Sequence, residues 1–334
     1  MQAYLLEAYG KQQQLRLARV AEPVLADDEV LVQVHAAGVN LLDAKIRNGE
    51  FKLILPYKVP LVLGHDVAGT VLQVGATVTG FAVGDEVYAR PGDMRIGAFA
   101  ERIAVKQDAL ASKPATLTME QAASLPLVGL TAWQALVGLA RLRPGQKVFI
   151  QAGSGGVGSF AIQLAKHLGA FVATSTSAAN AAWVKELGAD LVIDYKKDDI
   201  AAVLRDYDVV LHSQDSATLR KSLGVLKPGG RLISISGPPD PAFAHKLGAP
   251  WLVKLVVRLL SAGVRRQARR RQVDYDFLFM RADGAQLRQI AELVDAGAIR
   301  PVIDRVFPFE LTPQALAHVE SGRAKGKVVI AMQN

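Results

Sequence analysis

Gly153-Ser154-Gly155-Gly156-Val157-Gly158 decides the reading of this chain. It is a full G-x-G-x-x-G, and its setting gives it weight. Before it, Lys147 to Ala152 is an apolar run of strand length. After it, Gly156 to Leu168 has helical spacing up to a stop at Gly169. A glycine turn between strand and helix lets backbone N–H groups approach a pyrophosphate, and the helix N-terminus adds a favourable dipole. The alternative is a structural glycine turn without a ligand, and the pattern downstream argues against it.

Downstream, Phe171–Thr174 reads as a second strand, Ala179–Leu187 as a helix stopped by Gly188, and Leu191–Ile193 as a third strand. Asp208–Leu211 reads as a fourth strand. Ala217–Leu226 reads as a helix ended by the turn Lys227-Pro228-Gly229-Gly230, and Arg231–Ile235 as a fifth strand. Phe277-Leu278-Phe279-Met280 is a candidate sixth. This alternation predicts a parallel α/β sheet, doubly wound, with helices on both faces.

The choice of dinucleotide is read at the end of the second strand, where an NAD site places a carboxylate against the ribose 2′-hydroxyl. Here the run is Thr174-Ser175-Thr176-Ser177-Ala178-Ala179-Asn180, without a carboxylate. Hydroxyls can donate to a 2′-phosphate, so NADPH is the expected cofactor, and Tyr195 after the third strand can join them. These residues can also cap the next helix, and Ser177 can do both.

Upstream the pattern differs. Glu29–Ala36 alternates apolar and polar residues, Val67–Gly75 does likewise, and Gly80, Gly84-Asp85 and Pro91-Gly92-Asp93 mark turns. Short strands between close turns suggest a small barrel. Met119–Leu136 has helical spacing, with breaks expected at Pro126 and Gly129. Helix 285–297 and the tail are expected to return to the first domain.

Composition limits the chemistry. At 334 residues, two domains are expected. Cysteine is absent, so disulfides, thiolate zinc sites and cysteine nucleophiles are excluded. The N-terminus lacks a basic then apolar leader pattern, no uncharged run is long enough to span a bilayer, and a cytoplasmic location is expected. The formal net charge of +8 is concentrated at Lys254, Arg258, Arg265, Arg266, Arg269, Arg270 and Arg271. The rest is near neutral, so global basicity does not argue for nucleic acid as a partner.

Several stretches carry a family resemblance. They are Ala37-Gly38-Val39-Asn40-Leu41-Leu42-Asp43-Ala44-Lys45, Gly64-His65-Asp66-Val67-Ala68-Gly69, Gly84-Asp85-Glu86-Val87-Tyr88, Leu125-Pro126-Leu127, Gly129-Leu130-Thr131-Ala132-Trp133, the glycine motif and Leu187-Gly188-Ala189-Asp190. With Ile290–Gly297 and Arg300-Pro301-Val302, nearly the whole length resembles the medium-chain dehydrogenase/reductase superfamily, in its zinc-free quinone oxidoreductase branch. The resemblance extends to plant enone and alkenal reductases.

It implies a GroES-like β-barrel domain split around a Rossmann domain, with residues 1–122 and 282–334 in the first, 123–281 in the second and the substrate cleft between them. It also implies NADPH contacts from Lys45, Thr131, Ser154, Gly155, Gly156, Val157, Ser177, Asn180, Tyr195, Ser213, Ile235, Phe277, Phe279, Arg323 and Lys325. Asn40 and Lys45 are expected to organise the reacting end, the lysine by stabilising negative charge on a carbonyl oxygen. Zinc alcohol dehydrogenases of the superfamily use a cysteine near Asn40 and a histidine at the position of His65. The cysteine is missing, one imidazole cannot make a tetrahedral site, and no metal is expected.

Residues 250–272 read as an amphipathic helical excursion with a basic face, either solvated or attracted to an anionic membrane or to nucleic-acid phosphate. Apolar Phe277–Met280, read as an edge strand, predicts a homodimer. The function expected is hydride transfer from NADPH to a quinone or an α,β-unsaturated carbonyl compound. The rivals are a zinc-free enoyl-thioester reductase and a non-enzymatic NADPH sensor or RNA-binding protein.

Overall fold

The computed structural model describes residues 1–52, 55–248 and 250–332. The chain divides into two compact units, Met1–Leu130 with Arg281–Asn334, and Thr131–Met280.

The first unit is built on one long strand. Glu29–Val39 pairs antiparallel with Asp66–Val74, Arg102–Lys106 and Lys327–Ala331. The sheet has seven strands, and Ile303–Pro308, Glu86–Ala89 and Leu110–Ser112 complete it. Alternation of buried Val30, Val32 and Val34 with half-buried neighbours is the period-2 pattern of the sequence expressed as one inward face. A second, three-stranded sheet pairs Gln2–Leu6 with Arg16–Arg19 and Leu61–Val62. The C-terminal return enters through helix Gly284–Asp295, whose Leu287 carbonyl accepts from the buried Tyr88 hydroxyl at 2.5 Å.

The second unit is a six-stranded parallel sheet in the order Leu191–Asp194, Phe171–Thr176, Lys147–Ile150, Tyr207–His212, Leu226–Ser234, Asp274–Phe277. The first strand in sequence lies third, with the second and third to one side and the fourth to sixth to the other. Right-handed crossovers then place helices on opposite faces of the two halves, and the order reverses at the end of Lys147–Ile150. Phe149, Ala173, Val210 and Leu232 fill its core with Leu219, Leu223, Val264 and Ala268. Together the units form the α/β architecture expected, a GroES-like domain with a Rossmann-like sheet.

Some boundaries differ from expectation. The helix expected to break at Gly129 runs from Pro126 to Trp133 and continues as a π-helical turn, Gln134–Leu139. The fifth strand starts at Leu226, so the Lys227–Gly230 turn is an irregularity inside it. The register jumps from Tyr207↔Leu226 to Val209↔Arg231, and Gly229, at φ +78°, makes the turn possible. Residues 250–272 form two helices, Trp251–Leu260 and Ala262–Arg270.

The sixth strand is Asp274–Phe277 and not the apolar run 277–280. Its two aspartates lie beside Arg231, at 3.0 Å for Asp274 and 3.5 Å for Asp276. Phe277 and Phe279 are half-buried and pack on Phe243, with ring centroids 5.2 and 5.5 Å away. An apolar edge strand therefore no longer argues for a homodimer. Among the described residues no helix is long and apolar enough to cross a membrane.

Candidate active site: a nucleotide-binding sheet edge and a buried charge network

In the parallel sheet, every expected contact that follows a strand emerges from the same, C-terminal, edge. The glycine turn follows Lys147–Ile150, Ser177 follows Phe171–Thr176, and Tyr195 follows Leu191–Asp194. Ser213 follows Tyr207–His212, Ile235 follows Leu226–Ser234, and Phe277 ends the last strand, with Phe279 two residues on. Parallel strands give this result without further design, and it is the edge at which open α/β sheets bind ligands.

The glycine turn fits a phosphate. A side chain on Gly153 would collide with the Thr174 hydroxyl, and one on Gly158 with the Ala152 carbonyl, so these two glycines let helix and strands close together. Gly155 differs: a Cβ there would meet only Ala152 O, at 3.4 Å, leaving its outer side open. Gly155 caps helix Gly156–His167, and the first N–H groups of a helix, here those of Gly156 and Val157, cannot be satisfied from within it. Ser154 lies in the turn before them.

At the second strand's end the hydroxyls have different roles. Thr174 donates to Ile150 O at 2.6 Å and is committed to the sheet. Thr176 Oγ1 is buried without a partner. Ser177 Oγ accepts from Asn180 Nδ2 at 3.3 Å, and Asn180 Oδ1 accepts from Trp183 Nε1 at 3.3 Å. Tyr195 is 60% exposed, its N–H donating to Thr176 O. The sequence reading overlooked Asp194, which pairs in register with Thr176. Its Oδ1 accepts from Lys196 N–H at 3.1 Å, which turns that oxygen toward its own loop.

Two further buried groups brace this edge, and neither was singled out from sequence. Gln151 accepts from Ser213 N–H at 3.2 Å and donates to Ser222 Oγ at 2.7 Å, tying the first strand end to the fourth. His212 Nε2 faces Asp215 O at 3.1 Å, an acceptor only, so that nitrogen carries the proton of the neutral ring. Nδ1 then accepts from the Ser234 hydroxyl at 2.8 Å. Burial pushes the His212 pKa down to about 4.

The first unit holds Asn40, Lys45, Arg323 and Lys325. Asn40 precedes helix Leu41–Asn48 and is buried. Its Oδ1 accepts from Lys327 Nζ at 2.6 Å, and its Nδ2 donates to Asp66 Oδ2 at 2.9 Å. Lys327 Nζ also donates to Asp66 Oδ2 at 2.9 Å, with Val39 O at 3.3 Å, so all three ammonium protons have acceptors. Asp66 Oδ1 takes the Leu127 N–H at 2.7 Å. Asp43 extends the network: one oxygen accepts from Asn40 N–H at 2.8 Å, the other from Gly64 N–H at 3.1 Å and from His65 Nδ1 at 2.6 Å. His65 Nε2 is buried without a partner.

The amide of Asn40 is thus engaged at both ends, and it fixes the start of the helix that carries Lys45. Lys45 is half-buried, with no side-chain hydrogen bond or ion pair among the described residues. Arg323 and Lys325 lie exposed after helix Thr312–Glu320, which is tied to the Lys45 helix by Arg47–Glu320 at 2.5 Å. Thr131 is buried in helix Pro126–Trp133. Lys327 was missed because a single charge at the start of Lys327-Val-Val-Ile-Ala reads as a strand end. Its burial is visible only in three dimensions.

Comparison with known proteins agrees with this architecture. Residues 26–115 match the alcohol dehydrogenase GroES-like domain, and residues 187–330 match the family described as zinc-binding dehydrogenase. The chain is 36% identical to the NAD(P)H oxidoreductase RTN4IP1, mitochondrial, of Homo sapiens, over 99% of this chain and 89% of that one. The chain belongs to the medium-chain dehydrogenase/reductase superfamily. This medium-chain oxidoreductase is also 33% identical to the NADPH-dependent alkenal/one oxidoreductase, chloroplastic, of Arabidopsis thaliana, over 99% of this chain and 79% of the relative. Among solved structures, the quinone oxidoreductase from Coxiella burnetii superposes with a TM-score of 0.86 at 29% identity, covering 100% of this chain and 99% of that one.

The zinc in one family description does not fit these residues. The chain has no cysteine, and among the described residues no three histidines, aspartates or glutamates converge as a metal site. The Nδ1 of His65 is committed to Asp43, and one remaining nitrogen is too few for a tetrahedral ion. A nicotinamide dinucleotide does fit, on the open side of Gly155 and the unpartnered Thr176 hydroxyl.

Proposed function

We propose that this medium-chain oxidoreductase is a reductase using NADPH, and that its substrate is a quinone or an α,β-unsaturated carbonyl compound. The observation that carries the cofactor choice is the end of the second strand, where hydroxyls and an amide stand in place of a carboxylate and the Thr176 hydroxyl has no partner. Relatives named as NADPH-dependent alkenal/one and quinone oxidoreductases support the substrate class.

In this reading the glycine turn and the helix N-terminus, through Ser154, Gly155, Gly156 and Val157, hold the pyrophosphate. Ser177, Asn180 and Tyr195 hold the 2′-phosphate, and Ser213, Ile235, Phe277 and Phe279 line the remaining strand ends. Lys45, Arg323 and Lys325 supply positive charge for a cofactor with three phosphates. The bound cofactor supplies a hydride. The residues of this chain supply placement and electrostatics: Lys327, Asp66 and Asn40 fix the start of the Lys45 helix, and the Lys45 ammonium stabilises negative charge developing on the substrate oxygen. Solvent delivers the proton. Conjugated acceptors suit a site that lacks zinc ligands, because delocalisation already lowers the cost of that charge.

The test is oxidation of NADPH across a panel of benzoquinones, naphthoquinones, enones, enals, saturated ketones and enoyl-CoA thioesters. Turnover on quinones or enones, with little on saturated ketones, is the expected result. Turnover confined to enoyl-CoA thioesters, or none on any acceptor by protein that binds NADPH, would overturn the reading.

A further inference from the structure

The segment Pro241–Val273 of the parallel-sheet unit contains eight lysines and arginines and no aspartate or glutamate. Eight is the whole formal excess of the chain, so the other residues sum to zero charge. Within it, helix Trp251–Leu260 is turned inside out for a soluble helix. Its less exposed positions are Lys254 and Val257, and none of its residues is buried. Trp251 is 71% exposed, Leu259 and Leu260 66%, and Leu252 56%. Soluble proteins rarely leave so many large apolar side chains contiguous and uncovered.

The neighbouring helix Ala262–Arg270 is firmly seated. Val264 and Ala268 belong to the sheet's core, while Arg266, Arg269 and Arg270 stand exposed. Among the described residues none of the segment's basic side chains makes an ion pair. A rigid basic helix thus adjoins an uncovered apolar one.

We infer that this pair of helices docks the protein on the surface of a bilayer containing anionic lipid. Two features must be matched together. The exposed tryptophan and leucines require an apolar environment, and the unpaired arginines require negative charge. A bilayer surface offers both, with acyl chains below a layer of phosphates. Nucleic acid offers the charge and nothing for the leucines. A second copy of this chain offers the apolar face and sets two identical basic surfaces against each other, because a two-fold contact repeats the same patch. At 10 residues the apolar helix is too short to span, so the contact is peripheral. The inference stands independently of which acceptor the enzyme reduces.

The experiment is flotation of the full-length protein with vesicles of pure phosphatidylcholine or of phosphatidylcholine with about one third phosphatidylglycerol. Binding to the anionic vesicles only, weakened by raised salt, is expected. R266Q/R269Q/R270Q should weaken it about a hundredfold, at roughly 1 kcal/mol per charge. L255S/L259S should weaken it at least tenfold, while both variants keep the wild-type melting temperature because the altered side chains stand outside the core. Failure to float with anionic vesicles would overturn the inference. So would binding that L255S/L259S leaves intact, which is the behaviour of a polyanion site, or a dimer in light scattering that L255S/L259S converts to monomer.

Discussion

Lys327 Nζ lies 2.9 Å from Asp66 Oδ2 in the barrel unit, with the lysine side chain 6% exposed and the aspartate 0%. They are 261 residues apart in sequence, one in the C-terminal strand and the other at the start of Asp66–Val74. Asn40 bonds to both, so the pair fixes the C-terminal return of the chain against the start of the Lys45 helix. Removing one member leaves the other's charge buried and uncompensated, at a cost of about 3–5 kcal/mol. Denaturant unfolding of Lys327→Met should show a loss of that size. The double variant Lys327→Met with Asp66→Asn should recover part of it, and equal stabilities of the single and double variants would contradict a coupled pair.

His212 sets an acid limit on stability. Its folded pKa, near 4 because burial disfavours the imidazolium, lies below the ordinary 6.5. Above pH 6.5 neither state carries the proton and the site costs nothing. Between 6.5 and 4 the unfolded chain takes up a proton that the folded chain refuses, so stability falls as pH falls. The total loss is about 3 kcal/mol, at about 1.4 kcal/mol per unit. Urea unfolding of wild type and His212→Gln over pH 4 to 7.5 should show a shallower acid slope in the variant.

The glycine turn separates folding from binding. Gly158→Ala forces a methyl against the Ala152 carbonyl and should both lower the melting temperature and abolish nucleotide binding. Gly155→Ala places its methyl in open space at an ordinary φ of −86°, so stability should change by less than about 0.5 kcal/mol. NADPH affinity, measured by fluorescence titration, should nonetheless drop about tenfold or more, because the methyl occupies the side a pyrophosphate approaches.

Lys45→Ala should slow turnover or weaken NADPH use by about ten- to a thousandfold, the range for losing one placed electrostatic donor. Steady-state kinetics separates the two roles. A raised KM for NADPH alone marks a grip on the cofactor, and a lowered kcat with normal binding marks stabilisation of the developing oxyanion. Unchanged values of both would remove Lys45 from the site.

The parallel sheet was legible because its signals are local. Gly169 and Gly188 stop two of its helices, and the G-x-G-x-x-G turn sits where strand becomes helix. The Lys227–Gly230 turn misled because proline and two glycines signal a break, whereas pairing with Tyr207–His212 carries the strand across it. The last strand was misplaced by three residues because Asp274-Tyr-Asp-Phe looks like a loop until Arg231 lies beside its two carboxylates. The Lys327–Asp66–Asn40 network was not legible at all. Its members come from three separate stretches, and no spacing rule links residues that a folded barrel brings together.

The preference proposed for this site is for NADPH over NADH. Isothermal titration calorimetry of NADPH and NADH against the wild-type protein, in the same buffer, tests it most directly. The 2′-phosphate should gain one to two charge-assisted hydrogen bonds from Ser177, Asn180 and Tyr195, so NADPH should bind roughly ten- to a hundredfold more tightly than NADH. Equal or tighter binding of NADH would contradict the account and would point to Asp194, beside Thr176, as the group that holds a free ribose hydroxyl.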